Sequence, residues 1–233
     1  MTRRSRRLTT AIAALTGVTG AHLAAQAVVP GGVVSDLTQV QLMPALAASL
    51  LAGTRRPRTR LVRIVTIALV LSWLGDTVPR PFEGDLAFAA MMLFFLGAQL
   101  VYAAAFWPAR RRSVLSRPLL LTPYLAAVAA VVGLCWEGAG AFRAPLLVYG
   151  AAIAAMAVLA TGLGTQGALG GAVFLVSDAL IALRSFAGLE LPGHPVWVML
   201  TYVTGQALLV HAAARHRTGA PAPATTSVSG PAV

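Results

Sequence analysis

Long apolar segments alternate with short polar segments along most of the chain. A helix that crosses the hydrocarbon core of a membrane needs roughly 20 predominantly apolar residues, and eight segments approach that length. They run over Leu8–Val29, Leu37–Gly53, Leu61–Pro79, Leu86–Trp107, Leu119–Trp136, Ala144–Leu163, Gln166–Phe186 and Pro195–Ala214. The pattern therefore predicts an all-α, polytopic membrane protein, a bundle of eight transmembrane helices. The second segment gives the weakest signal, because Thr38, Gln39 and Gln41 make its first turns polar.

The positions of the arginines predict an orientation for this bundle. All eighteen basic residues are arginine, and fifteen of them fall in segments that an eight-span chain places on one side of the membrane. The other three, Arg80, Arg143 and Arg184, fall near the opposite side. Cytoplasmic connections carry an excess of Lys and Arg, so both termini are predicted to be cytoplasmic.

Composition changes how the net charge is interpreted. The chain is 58% hydrophobic and 11% charged, with a mean hydropathy of +0.77, whereas soluble domains average about 25% charged residues. A net charge of +11 would otherwise suggest a nucleic-acid partner. Arginines clustered between apolar segments are instead typical of membrane topology. The sequence thus predicts a multi-pass protein of a bacterial-type cell membrane, in contact with membrane lipids and with no nucleic-acid partner.

The predicted organisation is one integral domain with two short cytoplasmic ends. Residues 1–7 form a basic cytoplasmic N-terminus, residues 8–214 the eight-helix transmembrane domain, and residues 215–233 a cytoplasmic tail whose Ala, Pro, Thr and Ser content predicts disorder. One alternative concerns the start, where basic residues, an apolar run and Ala25-Gln26-Ala27 resemble a signal peptide with a cleavage site. Cleavage would leave seven spans and an external amino end. The apolar run is long for a signal peptide, which favours retention of the first span.

Two aspartates lie inside predicted spans, Asp76 in the third and Asp178 in the seventh. A carboxylate within the hydrocarbon region is costly unless it is paired or hydrated, so such a residue indicates function by default. On the third span Arg80 lies one turn beyond Asp76 and can reach back to it as an ion pair, which is the structural alternative. Asp178 has no such partner on its own helix. Both spans run in the same direction, which places the two carboxyl groups at similar depth, and we expect them to face one cavity between neighbouring third and seventh helices.

Four stretches, taken in order, resemble the YhhN-like lysoplasmalogenase family. They are LSWLGD (71–76), FFLGAQLVYAAAF (94–106), GGAVFLVSDALIAL (170–183) and MLTYVTGQALL (199–209). The resemblance covers the chain from about the second span to the eighth. It implies an integral-membrane hydrolase that cleaves the vinyl-ether bond of a lysoplasmalogen and releases a fatty aldehyde and a glycerophospho-headgroup. Asp76 and Asp178 match the family's intramembrane acids.

Two positions depart from the family's pattern. Many members have a Lys-Pro pair where this chain has Gln39-Val40, and many have His where it has Gln99, ahead of Tyr102. A lysyl side chain is a natural partner for a headgroup phosphate, so the identity of the substrate depends on these positions.

Two close carboxylates suit vinyl-ether hydrolysis, because one can donate a proton to carbon while the other remains ionised and stabilises the resulting cation. We predict Asp178 as the acid and Asp76 as the anion. The predicted substrate-binding residues are polar or aromatic side chains on other spans: Gln39, Gln99, Tyr102, Tyr124, Tyr202 and Gln206. No metal or other cofactor is expected, since the four histidines lack the spacing of metal ligands.

Two other function classes remain open. A proton- or cation-coupled transporter would use the same two aspartates at the centre of the bundle, and broken helices or an inverted repeat would favour it. A non-catalytic membrane protein that keeps the fold is the third class. The expected partner of the enzyme is a lysophospholipid-like substrate.

Overall fold

The computed structural model describes residues 3–216, and this part of the chain is almost entirely helical. Eight α-helices follow one another, joined by turns and by four short 3₁₀ segments. They are α1 (Arg3–Val28), α2 (Val33–Gly53), α3 (Arg60–Thr77), α4 (Gly84–Phe106), α5 (Pro118–Cys135), α6 (Arg143–Ala160), α7 (Thr165–Ala187) and α8 (His194–Arg215). The all-α prediction and the number of helices are confirmed for these residues.

Six of the eight helices are long and apolar enough to cross a membrane. The two others are α2 and α3. Polar residues in the first turns of α2 dilute its apolar character, as the sequence indicates, and α3 carries Arg60, Arg63 and Asp76 within 18 residues. Those charged residues lower the apolar character of α3, although it carries Asp76. The six apolar helices support a multi-pass membrane protein.

Several boundaries differ from the predicted ones. α1 begins at Arg3, so Arg4, Arg6 and Arg7 belong to its first turns, and the Arg4 guanidinium donates a hydrogen bond to the Gly53 carbonyl at the end of α2. α3 ends at Thr77 rather than at Pro79, because proline has no amide hydrogen and disfavours helical geometry in the residue before it. The predicted disordered tail begins at Arg215, which closes α8, and its residues from 217 onward lie outside the described residues.

Three pairs of consecutive helices form the most extensive contacts, α1 with α2, α3 with α4, and α7 with α8. α8 also contacts α1, α2 and α3, while α6 packs between α4, α5 and α7. The core at their centre is filled by large side chains such as Tyr102, Phe106 and Phe174, which are all fully buried. α5 packs on α6 and α7 at the periphery. α8 therefore packs against α1, α2, α3 and α7.

Glycines allow α7 to approach its neighbours closely. A Cβ atom on Gly205 would lie 2.8 Å from the Phe174 amide nitrogen, and one on Gly170 would lie 2.9 Å from the Leu209 amide nitrogen. Gly171 is equally tight against the Cα of Ala157 on α6, at 2.9 Å. Gly164 has a different role. It precedes α7 with a φ of +92°, which favours glycine, and a Cβ atom there would meet nothing within 4 Å. Close backbone packing through small residues is typical of membrane bundles.

We expect Gly205→Ala to destabilise the bundle, because the added methyl group would meet the α7 backbone rather than a movable side chain. Overpacking of this kind costs about 1–3 kcal/mol. Thermal unfolding of purified protein in detergent measures the loss as a lower midpoint. Gly97→Ala on α4 is the matched control, because its methyl group would meet only Leu71 at 3.6 Å. Equal midpoints for the two variants would contradict the packing described here.

The orientation of the bundle is a separate prediction. We expect reporter domains fused at Arg7 and at Thr218 both to read cytoplasmic, since fifteen of the eighteen arginines fall on that side of an eight-span chain. Protease or reporter assays on intact cells give the measurement. An external amino end would contradict the eight-span arrangement and favour cleavage of the first segment.

Candidate functional site

Polar side chains from six helices meet in the interior of the bundle. One hydrogen-bonded group surrounds Asp76, another surrounds Asp178, and a chain of hydrogen bonds links three of the helices. Spacing along each helix brings them together, because residues three or four apart share a face. Ser72 and Asp76 lie four apart on α3, Gln99 and Tyr102 three apart on α4, and Tyr202 and Gln206 four apart on α8. The members are Gln39, Ser72, Asp76, Gln99, Tyr102, Tyr149, Asp178, Tyr202 and Gln206.

Each oxygen of the Asp76 carboxyl group accepts a hydrogen bond from another helix. Gln39 Nε2 on α2 donates to Oδ1 at 3.0 Å, and the Tyr202 hydroxyl on α8 donates to Oδ2 at 2.8 Å. Asp76 is 7% exposed. Two donors aimed at two oxygens favour the ionised carboxylate, because each bond is strongest to the charged form. This arrangement suits a fixed anion.

Asp178 has a different environment. The Tyr149 hydroxyl on α6 donates to Oδ2 at 2.6 Å, and Gln99 Nε2 on α4 approaches the same oxygen at a longer 3.4 Å. Within residues 3–216 the second oxygen, Oδ1, accepts no hydrogen bond. The amide oxygen of Gln99 is also enclosed without a partner in this part of the chain. Asp178 therefore retains an oxygen that is available to a bound molecule.

Two apolar clefts meet at Asp178. One, of about 410 Å³ including the open space at its mouth, lies between α4, α6 and α7 and is lined by Phe88, Phe95 and Phe186 among others. The other, of about 370 Å³ on the same measure, lies between α5, α6 and α7. Asp178 and Tyr149 line both of them, whereas Asp76 lines neither. An apolar chain lying in either cleft would contact the carboxyl group of Asp178.

A third set of hydrogen bonds links α4, α8 and α3. The Tyr102 hydroxyl donates to Gln206 Oε1 at 2.5 Å, and Gln206 Nε2 donates to Ser72 Oγ at 3.0 Å. All three side chains are fully buried. Ser72 lies one turn before Asp76 on α3, so this chain fixes the helix that carries the anion relative to α8.

The two aspartates are not on adjacent helices, so the expectation that α3 and α7 are near neighbours is wrong. α3 packs against α2, α4 and α8, α7 packs against α5, α6 and α8, and α3 and α7 share no extended contact. α8 contacts both α3 and α7, and its Tyr202 donates a hydrogen bond to Asp76. α4 also connects the two acids, since it packs along α3 and its Gln99 donates to Asp178.

The predicted ion pair between Arg80 and Asp76 is also wrong. α3 has ended before Arg80, so the two residues are not one turn apart on a helix. The Arg80 guanidinium instead forms an ion pair with Asp36 at the start of α2, at 2.5 Å, and donates to the main-chain oxygen of Asp76 at 2.9 Å. Arg80 thus joins the ends of α2 and α3 near the site.

The network contains all but one of the predicted substrate-binding side chains. Tyr124 is the exception, since it lies half-buried on α5 and makes no hydrogen bond within the described residues. Tyr149 was missed, although the signal was available. It is an isolated tyrosine inside the sixth apolar segment, where a buried hydroxyl requires a partner.

The described residues contain no group of three or more His, Cys, Asp and Glu side chains that could hold a metal ion.

Comparison with known proteins identifies the family. The family model described as the YhhN family matches residues 34–213. The chain belongs to the YhhN family. The match begins at the start of α2 and ends near the end of α8, so it includes both aspartates and the whole network, while α1 precedes it. No curated protein and no solved structure matches the chain.

The structure shows where the two residues that depart from the family's pattern lie. Gln39 and Gln99 each donate an amide hydrogen to one of the two aspartates. They therefore lie in direct contact with the site. A neutral amide at both places leaves the two carboxyl groups without a cationic side chain bonded to them in the described structure.

Proposed function

We propose that the protein is an integral-membrane hydrolase that cleaves the vinyl-ether bond of a lysoplasmalogen-like lysolipid. The observation that carries the proposal is Asp178, which presents an unbonded carboxyl oxygen where two apolar clefts meet. Membership of the YhhN family supports a membrane protein of this kind. The clefts suit the hydrocarbon chain of a lipid, and the carboxyl group suits proton transfer to it.

In this proposal the reaction begins with a proton. Asp178 in its acid form donates a proton to the vinyl carbon that is not bonded to oxygen, and the neighbouring carbon becomes part of an oxocarbenium ion. Water adds to that carbon and loses a proton, which restores the protonated carboxyl group. The hemiacetal then collapses to a fatty aldehyde and the glycerophospho alcohol. The balance is one vinyl ether and one water converted to one aldehyde and one alcohol.

The other polar side chains assist these steps. Tyr149 holds Asp178 by one oxygen, so its other oxygen faces the substrate. Asp76, held by Gln39 and Tyr202, supplies a fixed negative charge that stabilises the developing cation, as preorganised charges do in active sites. The enclosed Gln99 carbonyl oxygen is an acceptor for the attacking water.

The two rival classes differ from this proposal in observable ways. A transporter would favour helix breaks at its central acids. Asp178 lies in the middle of α7, which has no such break, whereas Asp76 lies in the last turn of α3. A non-catalytic protein would not require an available carboxyl oxygen beside an apolar cleft, and the enzyme does.

A panel of lysolipids tests the proposal. Purified protein is incubated with a 1-alkenyl lysolipid, its 1-alkyl counterpart and its 1-acyl counterpart, and released aldehyde is trapped and measured. We expect aldehyde from the alkenyl lipid alone, because only a vinyl ether yields an oxocarbenium ion on protonation. Folded protein that releases no aldehyde from any member of the panel would overturn the proposal and shift weight to the transporter.

A further inference from the structure

A cavity distinct from the two apolar clefts opens at the end of the bundle where the α1–α2 and α7–α8 turns lie. Its volume is about 1070 Å³, including the space at its mouth, and its polar lining residues are Gln26, Arg184, Ser185 and His194. Ile181 lines both this cavity and the apolar cleft beside Asp178. The two spaces therefore lie next to each other, with the Ile181 side chain at their boundary.

His194 carries an unused hydrogen-bond donor at this cavity. The side chain is 2% exposed, and its Nδ1 accepts a hydrogen bond from the Leu191 amide at 3.5 Å. That bond assigns the proton of the neutral ring to Nε2. Nε2 has no hydrogen-bond partner among the described residues. Because an enclosed donor without an acceptor is unfavourable, His194 indicates a ligand that supplies an acceptor.

The charge of the cavity favours an anion. Arg184 is the charged residue of its lining, and no acidic residue belongs to that lining in the described structure. Glu190 contacts Arg184 from outside the lining at 3.4 Å, and both side chains are half-exposed, so this ion pair is weak and open to exchange. A guanidinium group and an imidazole N–H together match the oxygens of a phosphate ester.

We infer that this cavity binds the phosphate group of the lysolipid whose vinyl ether lies at Asp178. The inference rests on the proposed function for the position of the vinyl ether. Arg184 lies six residues beyond Asp178 on α7, which is about 9 Å along the helix at 1.5 Å per residue. The extended glycerol backbone between a vinyl ether and a phosphate has a comparable length. The hydrocarbon chain then occupies the apolar cleft, and the phosphate reaches Arg184 and His194.

Binding without turnover tests the inference independently of catalysis. The first probe is a 1-O-alkyl-glycero-3-phosphoethanolamine, a saturated ether that protonation cannot cleave, and the second is the 1-O-alkylglycerol of the same chain length. We expect Arg184→Gln to weaken binding of the first on the order of 10-fold, the size of one charge-assisted contact. Binding of the second should not change. Equal effects on both probes, or none on either, would overturn the inference.

Three further variants sharpen the result. Arg143→Gln is the matched control, because Arg143 is exposed and packs over the Trp136 ring rather than at the cavity. Glu190→Gln should tighten binding of the phospholipid by releasing Arg184 from its ion pair. If Arg184→Gln does not fold, His194→Phe, which keeps the ring but has no N–H to donate, should give the same selective loss for the phospholipid, and unchanged binding by that variant would contradict the role of His194.

Glycerol 3-phosphate distinguishes the source of the phosphate. Competition by this compound at low concentration would assign the cavity to free phosphate esters, and binding of the phospholipid without such competition would assign it to the lipid. Selective, Arg184-dependent binding without aldehyde release would support the cavity and contradict the hydrolase. Aldehyde release that is insensitive to Arg184→Gln would support the hydrolase and contradict phosphate binding in the cavity.

Discussion

An Asp178→Asn protein should release aldehyde on the order of 10²- to 10⁴-fold more slowly than the wild type, the usual contribution of a positioned general acid. Asparagine keeps the shape of the side chain but has no carboxylic proton to donate. Its amide oxygen can still accept the hydrogen bond that the Tyr149 hydroxyl gives to Oδ2. The bundle should therefore fold, because a neutral amide is cheaper to bury than a carboxylate.

The rate of aldehyde release per folded protein is the measurement for this variant, with the detergent-extracted yield as the folding control. Asp85→Asn is the matched substitution, since Asp85 is exposed at the start of α4 and lines neither cleft. It should leave the rate unchanged. An Asp178→Asn protein that folds and retains more than about a tenth of the wild-type rate would exclude Asp178 as the proton donor, given the expected size of that effect.

We expect Asp76→Asn to slow the reaction on the order of 10²-fold or more, comparable to the loss of one preorganised electrostatic contact in an active site. Gln39 and Tyr202 both donate to the carboxylate, and asparagine has one acceptor oxygen for these two donors. The variant therefore loses the charge and one hydrogen bond. Tyr202→Phe should give a smaller loss, because it removes one donor and leaves the anion in place.

The double variant tests whether the two acids act as one unit. If Asp76 stabilises the cation that Asp178 creates, the Asp76→Asn and Asp178→Asn changes should not multiply, and the double variant should be little slower than Asp178→Asn alone. Single-turnover rates of the four proteins give the comparison. Fully multiplicative losses would contradict the proposal that Asp76 stabilises the cation that Asp178 creates.

The helices and most of the polar network could be predicted from the sequence, because both depend on local patterns. Apolar runs near the length of a membrane span gave the eight helices, and polar residues within those runs included Gln39, Gln99, Tyr202 and Gln206. A polar side chain inside a lipid-facing bundle requires a partner. A polar residue in an apolar segment therefore indicates a buried hydrogen bond even before the tertiary fold is known.

The partners of these residues could not be predicted, because they depend on which helices are neighbours. Arg80 follows Asp76 at helical spacing, but its ion pair with Asp36 depends on where α3 ends and on the packing of α2 against it. The relation between Asp76 and Asp178 depends on α4, which packs on α3 and bonds Asp178 through Gln99, and on α8, the last helix of the chain, which contacts both α3 and α7. Sequence spacing carries no information on such contacts.

The central claim is that catalysis begins with transfer of a proton from Asp178 to carbon, and the product formed in heavy water tests it most directly. The 1-alkenyl lysolipid is hydrolysed by the protein in D₂O, and the aldehyde is trapped early and analysed by mass spectrometry. Authentic aldehyde incubated in the same way corrects for exchange. The account predicts one deuterium on the carbon next to the aldehyde carbon, in product that wild-type protein forms and Asp178→Asn does not. Aldehyde without that deuterium, or labelled aldehyde formed equally well by Asp178→Asn, would contradict it.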